Sequence, residues 1–469
     1  MKSFRNIAYA AFVICAVLLV SCCGCRDVCR ISRHDSGEWG PYELWEPAGT
    51  VRGLIFFFSD SQGLIPADRD AARELARLGA AVALVPTDVY LSRIDNDTDP
   101  DGCLYLPGPV EWTSHYLQEY LAVPEYKRPL LLGRALGAGI VYALLAQGSS
   151  QSFAGGMSVD LSSVITIKHP LCSLAPIYRS EKGLALDSNA HLCGWWCAAV
   201  TKTPDRDTTD FVKAVSGRNK EVKPEIEGPG TLASLVSRVF APCLAEKPNG
   251  KDATVAGALV EVSGKSTQKA LAVIYSGDGG WSDIDRELAD YLAAHDIAVV
   301  GVNCLSYFWK KRTPDQVGQD LAWLLERYFS NWGMEQAVIV GYSFGADILP
   351  PAYNRLPQYL KAKVVQISLL APSRDADFEF HISGWLDSGP SKESIPLGPE
   401  ITGIDKGLLQ CFYGEEEEAD TLCTDPEMKG AETMRTAGSH HFDGNYSALG
   451  DKIIEGFYRR AEALKIRGR

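Results

Sequence analysis

The chain has 469 residues, 46% of them hydrophobic and 10% aromatic, an ordinary globular composition with enough apolar mass for two cores. Its formal net charge of -13 argues against a protein built to grip a phosphate backbone, so no nucleic-acid partner is expected. The acidity otherwise suits a cationic substrate and equally serves solubility.

Lys2 and Arg5 precede an apolar run over residues 7–20, after which the chain turns polar. A basic start and a run short for a bilayer-spanning helix describe an export signal, expected over residues 1–21. The run ends Leu19-Val20-Ser21-Cys22, which resembles the lipobox of bacterial lipoproteins. That resemblance implies lipidation of Cys22 and a membrane-anchored protein of the periplasm or cell envelope. The competing reading is ordinary cleavage or an uncleaved anchor, with Cys22, Cys23, Cys25 and Cys29 pairing among themselves. Thirteen cysteines fit an oxidising compartment. Cys193 with Cys197, and Cys411 with Cys423, lie close enough in sequence to read as local staples. Cys193-x-x-x-Cys197 lacks a matching second pair, so no metal site is expected, and no cofactor.

In chain order, residues 54–58 read as a buried strand, 59–63 as a turn, 70–78 as a helix and 80–85 as a second strand. Residues 129–132 form a third strand that enters Gly133-Arg134-Ala135-Leu136-Gly137, and a helix follows. Periodicity weakens over 201–256, where Lys, Glu, Pro and Gly accumulate. A linker or insertion is expected there, with room for a short amphipathic helix at 231–240.

The plan then repeats. Residues 271–275 are a strand breaking into Ser276-Gly277-Asp278-Gly279-Gly280-Trp281; 285–294 is a helix and 297–302 a strand. A helix over 314–332, opened by Pro314, leads to a strand at 337–340, then Gly341-Tyr342-Ser343-Phe344-Gly345 and a helix over 346–353. Later strands fall at 364–370 and 408–413, with a closing helix over 447–464. Placing Phe58 on Tyr275 also places Ala81-Val82 on Ala298-Val299 without a gap. The expected architecture is therefore two tandem domains, over 30–200 and 257–469. Each is a mostly parallel sheet with helices on both faces. The first is degenerate, with Ala135 where the second has a serine.

A serine hydroxyl attacks only when a base takes its proton and donors hold the oxyanion. Strand, G-x-S-x-G and helix together describe the nucleophile elbow of the α/β-hydrolase fold, with Ser343 as nucleophile. Chain order then asks for an acid and a histidine. After Ser343 only His381, His440 and His441 remain, and His381 falls in an irregular stretch that suits a structural role. His440-His441-Phe442 precedes the last helix; the spacing Gly438-x-His440-x-Phe442 favours His440, and Asp443 is available to orient the other histidine. The acid belongs in Gly414-Glu415-Glu416-Glu417-Glu418-Ala419-Asp420. Asp420 is favoured by residue type, and Glu417 by its spacing from Gly414. The remaining glutamates read as a solvated acidic loop or as a cation site. The oxyanion donors are expected from the amide of Phe344 and from the turn at Gly277 and Asp278. Asp347, Trp281 and Tyr342 are candidate substrate contacts, with Asp347 also within reach of an ion pair to Arg355.

Four segments carry a resemblance: Tyr275 to Trp281; Tyr307-Phe308-Trp309 with Thr313-Pro314; Gly341-Tyr-Ser-Phe-Gly-Ala-Asp-Ile-Leu-Pro-Pro-Ala-Tyr-Asn-Arg-Leu-Pro357; and His440-His-Phe-Asp-Gly-Asn-Tyr446. Together they closely resemble the bacterial virulence protein family VirJ/AcvB over about residues 268–460, and the preceding half resembles the extra N-terminal region of AcvB-type members. The resemblance implies an envelope serine hydrolase that removes the aminoacyl ester of lysyl- or alanyl-phosphatidylglycerol, with a membrane-surface substrate and secretion-system proteins as partners. A general periplasmic esterase and a non-enzymatic assembly factor for type IV secretion are the competing expectations.

Overall fold

The computed structural model describes residues 29–35, 40–97, 103–149, 151–165, 167, 169–172, 177–180, 183–219, 222, 226–245, 255–379 and 394–467. The signal segment, Cys22 and His381 lie outside them. The described chain divides into two compact units, one up to residue 245 apart from 124–126, the other those three residues and everything from 255.

The first unit is built on a seven-stranded sheet: β1 (Cys29–Asp35), β2 (Pro41–Pro47), β3 (Gly53–Phe58), β4 (Ala80–Val85), β5 (Leu130–Arg134), β6 (Gly155–Val159) and β7 (Trp195–Ala199), in the order β1-β2-β4-β3-β5-β6-β7. Only β1 and β2 run antiparallel to their neighbours. β3 (GLIFFF) and β4 (AAVALV) are buried at every position, as strands covered on both faces require. The covering helices are α1 (Pro66–Arg77), α2 (Thr87–Asp97), α3 (Pro107–Tyr120), α4 (Leu136–Gln147), α5 (Arg206–Arg218) and α6 (Leu232–Leu244). α5 and α6 correct the expected linker over 201–256. Val212 and Val215 enter one core face, while Leu232, Leu235, Val236, Phe240 and Leu244 pack on the other against Ile55 and Phe57. The Lys/Glu/Pro-rich stretch is only the connection between two core helices.

The second unit repeats the scheme with β8 (Leu259–Ser263), β9 (Ala270–Tyr275), β10 (Ala298–Val302), β11 (Gln336–Tyr342), β12 (Val364–Leu370), β13 (Leu409–Gly414) and β14 (Glu432–Thr436), ordered β8-β10-β9-β11-β12-β13-β14. Only β8 is antiparallel. Period-2 alternation splits β9 cleanly: Leu271, Val273 and Tyr275 face one core, and Ala270, Ala272 and Ile274 the other. The longer helices are α7 (Asp283–Ala294), α8 (Pro314–Trp332), α9 (Phe344–Asn354) and α10 (Tyr446–Arg467). α8 starts on a capping box between Thr313 and Gln316 and stops at Gly333 in the left-handed region, so both ends are written locally.

The repetition reaches single backbone bonds. The Ser59 amide donates to Val85 O as the Ser276 amide donates to Val302 O. The Thr87 and Cys304 amides then donate to the Ser59 and Ser276 hydroxyls. Both units are α/β-hydrolase-like, and β2-β4-β3-β5-β6-β7 corresponds to β8-β10-β9-β11-β12-β13. The first sheet adds β1 at one edge; the second adds β14 at the other. Among the described residues, two disulfides form, Cys103–Cys172 and Cys411–Cys423. Cys193 and Cys197 are both free, a correction to the expected staple. They enter and occupy β7, and extended backbone separates residues four apart by roughly 13 Å, beyond the reach of a disulfide.

Candidate active site

β11 runs into Ser343, whose φ of 52° and ψ of -121° put it outside the helix it heads. Such a residue is held there only by its surroundings. Its amide donates to Leu370 O at 2.8 Å. A Cβ on Gly341 would sit 2.4 Å from Gly345 O, and one on Gly345 would sit 2.2 Å from Tyr275 O. Neither position tolerates a side chain, which is the physical content of the two glycines. The first unit has the same bend without the hydroxyl: Ala135 at φ 52° and ψ -108°, with Gly133 and Gly137 equally crowded.

His440 bridges Ser343 and Glu417. Its Nε2 lies 2.8 Å from Ser343 Oγ, and its Nδ1 lies 3.0 and 3.2 Å from the two oxygens of Glu417. A carboxylate there holds the proton on Nδ1 and leaves Nε2 to accept the serine hydrogen. Glu417, the weaker of the two acid expectations, therefore replaces Asp420. The chain tightens into a 3-10 turn over Glu415–Glu417 as soon as β13 ends. That turn spends the reach needed to bring Asp420 to the histidine; Asp420 is exposed, with its amide turned back onto Glu417 O at 3.0 Å. The acid turn is stitched to the histidine loop, for the Glu416 amide donates to Gly438 O, and a Cβ on Gly414 would lie 2.3 Å from Ser439 O. Arg435 pairs with Glu415 and Glu418 at 3.2 Å each, which accounts for those two glutamates without a bound cation.

His441, the other histidine candidate, turns away from Ser343, its Nδ1 3.1 Å from the Tyr342 hydroxyl. Burial is the main cause holding its pKa below the usual value; the neighbouring His440 adds to this, and Glu417 opposes it. The Asp443 carboxylate lies over Gly438 rather than on His441.

The Phe344 amide opens α9 and has no acceptor among the described residues. A Cβ on Gly277 would come within 3.7 Å of Ser343 Cβ, so the glycine turn that also carries Asp278 lies beside the nucleophile, where an oxyanion would form. The substrate-contact expectations fare differently. Trp281 is a core residue: its ring fills the space above Gly301, where a Cβ would meet it at 2.1 Å. Tyr342 is buried, with its hydroxyl spent on the histidine loop. Asp347 sits buried in the first turn of α9 and accepts the Ser373 amide at 2.7 Å. Burial pushes its carboxyl well above the usual range, reinforced by Asp278 and Asp377, so it anchors the 373 loop rather than offering charge. Arg355 pairs instead with Asp315 and Glu400, at 2.8 and 3.1 Å. Sequence reasoning left unassigned an aromatic wall beside the elbow, with Phe344 edge-on to Phe308 at 4.9 Å and Phe308 against Phe378 at 6.2 Å.

The first unit differs from the second at more than Ala135. Asp60, which corresponds to Gly277, accepts the Leu136 amide at 3.4 Å, occupying the donor that Phe344 leaves open. Its sheet, as described, also lacks a counterpart of β14, the strand that delivers His440.

Glu417 stands midway between Cys411 and Cys423, so their disulfide closes the loop that carries the acid. Replacing both cysteines by serine is expected to lower kcat several-fold with little change in KM, and to lower the unfolding midpoint, since closing such a loop contributes roughly 3 kcal/mol. Steady-state kinetics and a thermal melt check both.

Among the described residues no group of three His, Cys, Asp or Glu side chains is placed to hold a metal ion. Residues 269–461 match the family described as bacterial virulence protein (VirJ). No curated protein matches the chain. Solved structures that align with it include MenH from S. aureus (9% identity, 43% of this chain and 98% of that one, TM-score 0.33). A putative dienelactone hydrolase from Klebsiella pneumoniae aligns at 12% identity over 47% and 99% of the two chains, TM-score 0.32. A lipase-esterase related protein from Clostridium acetobutylicum aligns at 16% identity over 42% and 98%, TM-score 0.32.

Proposed function

Taking residues 269–461 as a domain of the VirJ family, we propose that the protein is an envelope serine hydrolase that cleaves the aminoacyl ester of lysyl- or alanyl-phosphatidylglycerol. The observation that carries the reading is the continuous relay from Ser343 through His440 to Glu417 above a strained elbow. In this mechanism Ser343 Oγ attacks the ester carbonyl as its proton passes to His440 Nε2. The developing oxyanion is held by the Phe344 amide and the turn at Gly277. His440 returns the proton to the departing glycerol hydroxyl of the lipid, leaving an aminoacyl-serine. A water molecule, deprotonated by the same histidine, then releases the amino acid and restores Ser343. Glu417 stabilises the imidazolium at each stage.

The substrate class comes from the family. It is supported by the acidic surroundings of the elbow, where Asp278 offers charge to an ammonium group and the Phe308, Phe344 and Phe378 wall suits apolar parts of the substrate. Lipidation at Cys22 would hold the enzyme at the membrane surface where this lipid lies. Among the described residues, no helix is long and apolar enough to cross a membrane. Asp60 on the Leu136 amide supports a binding or packing role for the first unit. Secretion-system proteins are proposed partners on family grounds.

The test incubates wild type and Ser343→Ala with lysyl- and alanyl-phosphatidylglycerol and follows free amino acid. Release by the wild type should fall by about 10³-fold or more in the variant. Equal release by both sinks serine catalysis. Release from simple esters alone favours a general esterase, and no release at all leaves a binding or assembly role.

A further inference from the structure

At the residue before the elbow's central position the two halves diverge. In the first unit it is Arg134, whose Nε and second guanidinium nitrogen lie 2.7 and 3.0 Å from the two oxygens of Asp68, with Asp60 a further 3.5 Å partner. Asp68 is fully buried in the first turn of α1, where it also accepts the Ile65 amide. The second unit keeps the carboxylate: Asp285 is buried in the first turn of α7 and accepts the Ser282 amide and hydroxyl. It does not keep the arginine. Tyr342 stands at that position, and Asp285 Oδ1 has no hydrogen-bond partner among the described residues.

Tyr342 is turned instead to the histidine loop. Its hydroxyl donates to His440 O at 3.4 Å and lies 3.1 Å from His441 Nδ1. With a proton on His441 Nδ1, both contacts are satisfied at once: the ring N–H donates to the phenol oxygen, and the phenol O–H donates to the carbonyl. The tyrosine ring also stands 5.4 Å from the His440 ring. One side chain thus grips His440 by its own backbone and by its neighbour.

We infer that Tyr342 and His441 form a positioning pair that holds His440 against Ser343, and that exchanging an arginine ion pair with the buried aspartate for this pair is part of what separates the working elbow from the silent one. The inference rests on Ser343 being a nucleophile. Neither residue touches the reacting atoms. They act through His440, where a displacement of a few tenths of an ångström weakens proton transfer.

The readout is the rate at which a fluorophosphonate labels Ser343 in the full chain, which reports nucleophile activation whatever the natural substrate. Ser343→Ala must not label. Tyr342→Phe and His441→Leu are expected to label about tenfold more slowly than wild type, the effect of one lost hydrogen bond. His441→Asn, which places an amide nitrogen near the lost Nδ1, is expected to stay within about threefold. Tyr342→Arg restores the first unit's ion pair with Asp285, and should melt no lower than wild type while labelling at least ~50-fold more slowly. Wild-type labelling rates in Tyr342→Phe and His441→Leu overturn the positioning role. His441→Asn as slow as His441→Leu overturns the hydrogen bond as its means. A Tyr342→Arg protein that melts below wild type overturns the correspondence with Arg134. A wild-type protein that does not label overturns the nucleophile reading itself.

Discussion

His440→Ala is expected to lower kcat/KM on an aminoacyl ester by about 10⁴-fold, and Glu417→Gln by about 10² to 10⁴, whereas His441→Ala costs no more than about tenfold and Asp420→Asn less than about twofold. The geometry sets this order. Among the described residues only His440 has one nitrogen on Ser343 Oγ and the other on a carboxylate, and Glu417 supplies that carboxylate. Without His440 the serine proton has no acceptor within reach. Without the charge on Glu417, the imidazole loses its tautomer and the stabilisation of its charged form. Asp420 stays on the surface, its influence reaching Arg374 rather than a histidine. Purified variants whose circular dichroism matches wild type, assayed on lysyl-phosphatidylglycerol, check the series. A His441→Ala loss as deep as that of His440→Ala, or an Asp420→Asn loss as deep as that of Glu417→Gln, would falsify the assignment.

The second large effect concerns stability. Burial pushes the Asp285 carboxyl up to about 7, against the pull of its Ser282 hydrogen bonds; Asp283 adds a little in the same direction. Facing it among the described residues are Ser282, Asp283, Tyr342, Tyr446 and the Cys304 thiol, none of them cationic. An unfolded aspartate ionises near 4, so between about pH 4 and 7 the folded state holds a proton that the unfolded state has lost. That contribution is fully present below pH 4 and disappears as pH rises through 7, a span worth on the order of 4 kcal/mol. Asp285→Asn keeps the shape and carries no charge. The wild type minus variant difference in unfolding free energy of the second unit should therefore decline steadily from pH 4 to pH 7 and then level off. Denaturant titrations at several pH values measure it, and a difference that stays flat across the range excludes a buried proton on Asp285.

Much of the fold was legible before any coordinates. Continuous apolar strands at 80–85 and 364–370, and the Thr313-Pro314 start of the 314–332 helix, are local signals that tertiary packing had no reason to override. Over 201–256 the sequence shows the amphipathic helix near 231–240 but not the helix at Arg206–Arg218, which its polar surroundings obscure, nor that both belong to the core. The apolar spacing of Leu232, Leu235, Val236 and Phe240 was in the sequence, but its partners, Ile55 and Phe57, lie far away in the chain. The cysteines divide the same way: Cys411 and Cys423 pair across a turn, while Cys103 found Cys172 through the fold.

The elbow at Ser343 is legible in the sequence alone, because it is a local object: two glycines and a strained residue between strand and helix, written in five consecutive positions. The silence of the first copy was equally local at Ala135. What only the tertiary structure decided is which distant groups meet that serine. In the sequence only the spacing from Gly438 and Phe442 favours His440 over His441, and residue type and spacing pull in opposite directions between Asp420 and Glu417. The choice depends on a 3-10 turn after β13, on glycines that let two loops cross, and on a tyrosine hydroxyl that takes one histidine aside. Those are distances between segments 23 to 99 residues apart, and no pattern of neighbours encodes them.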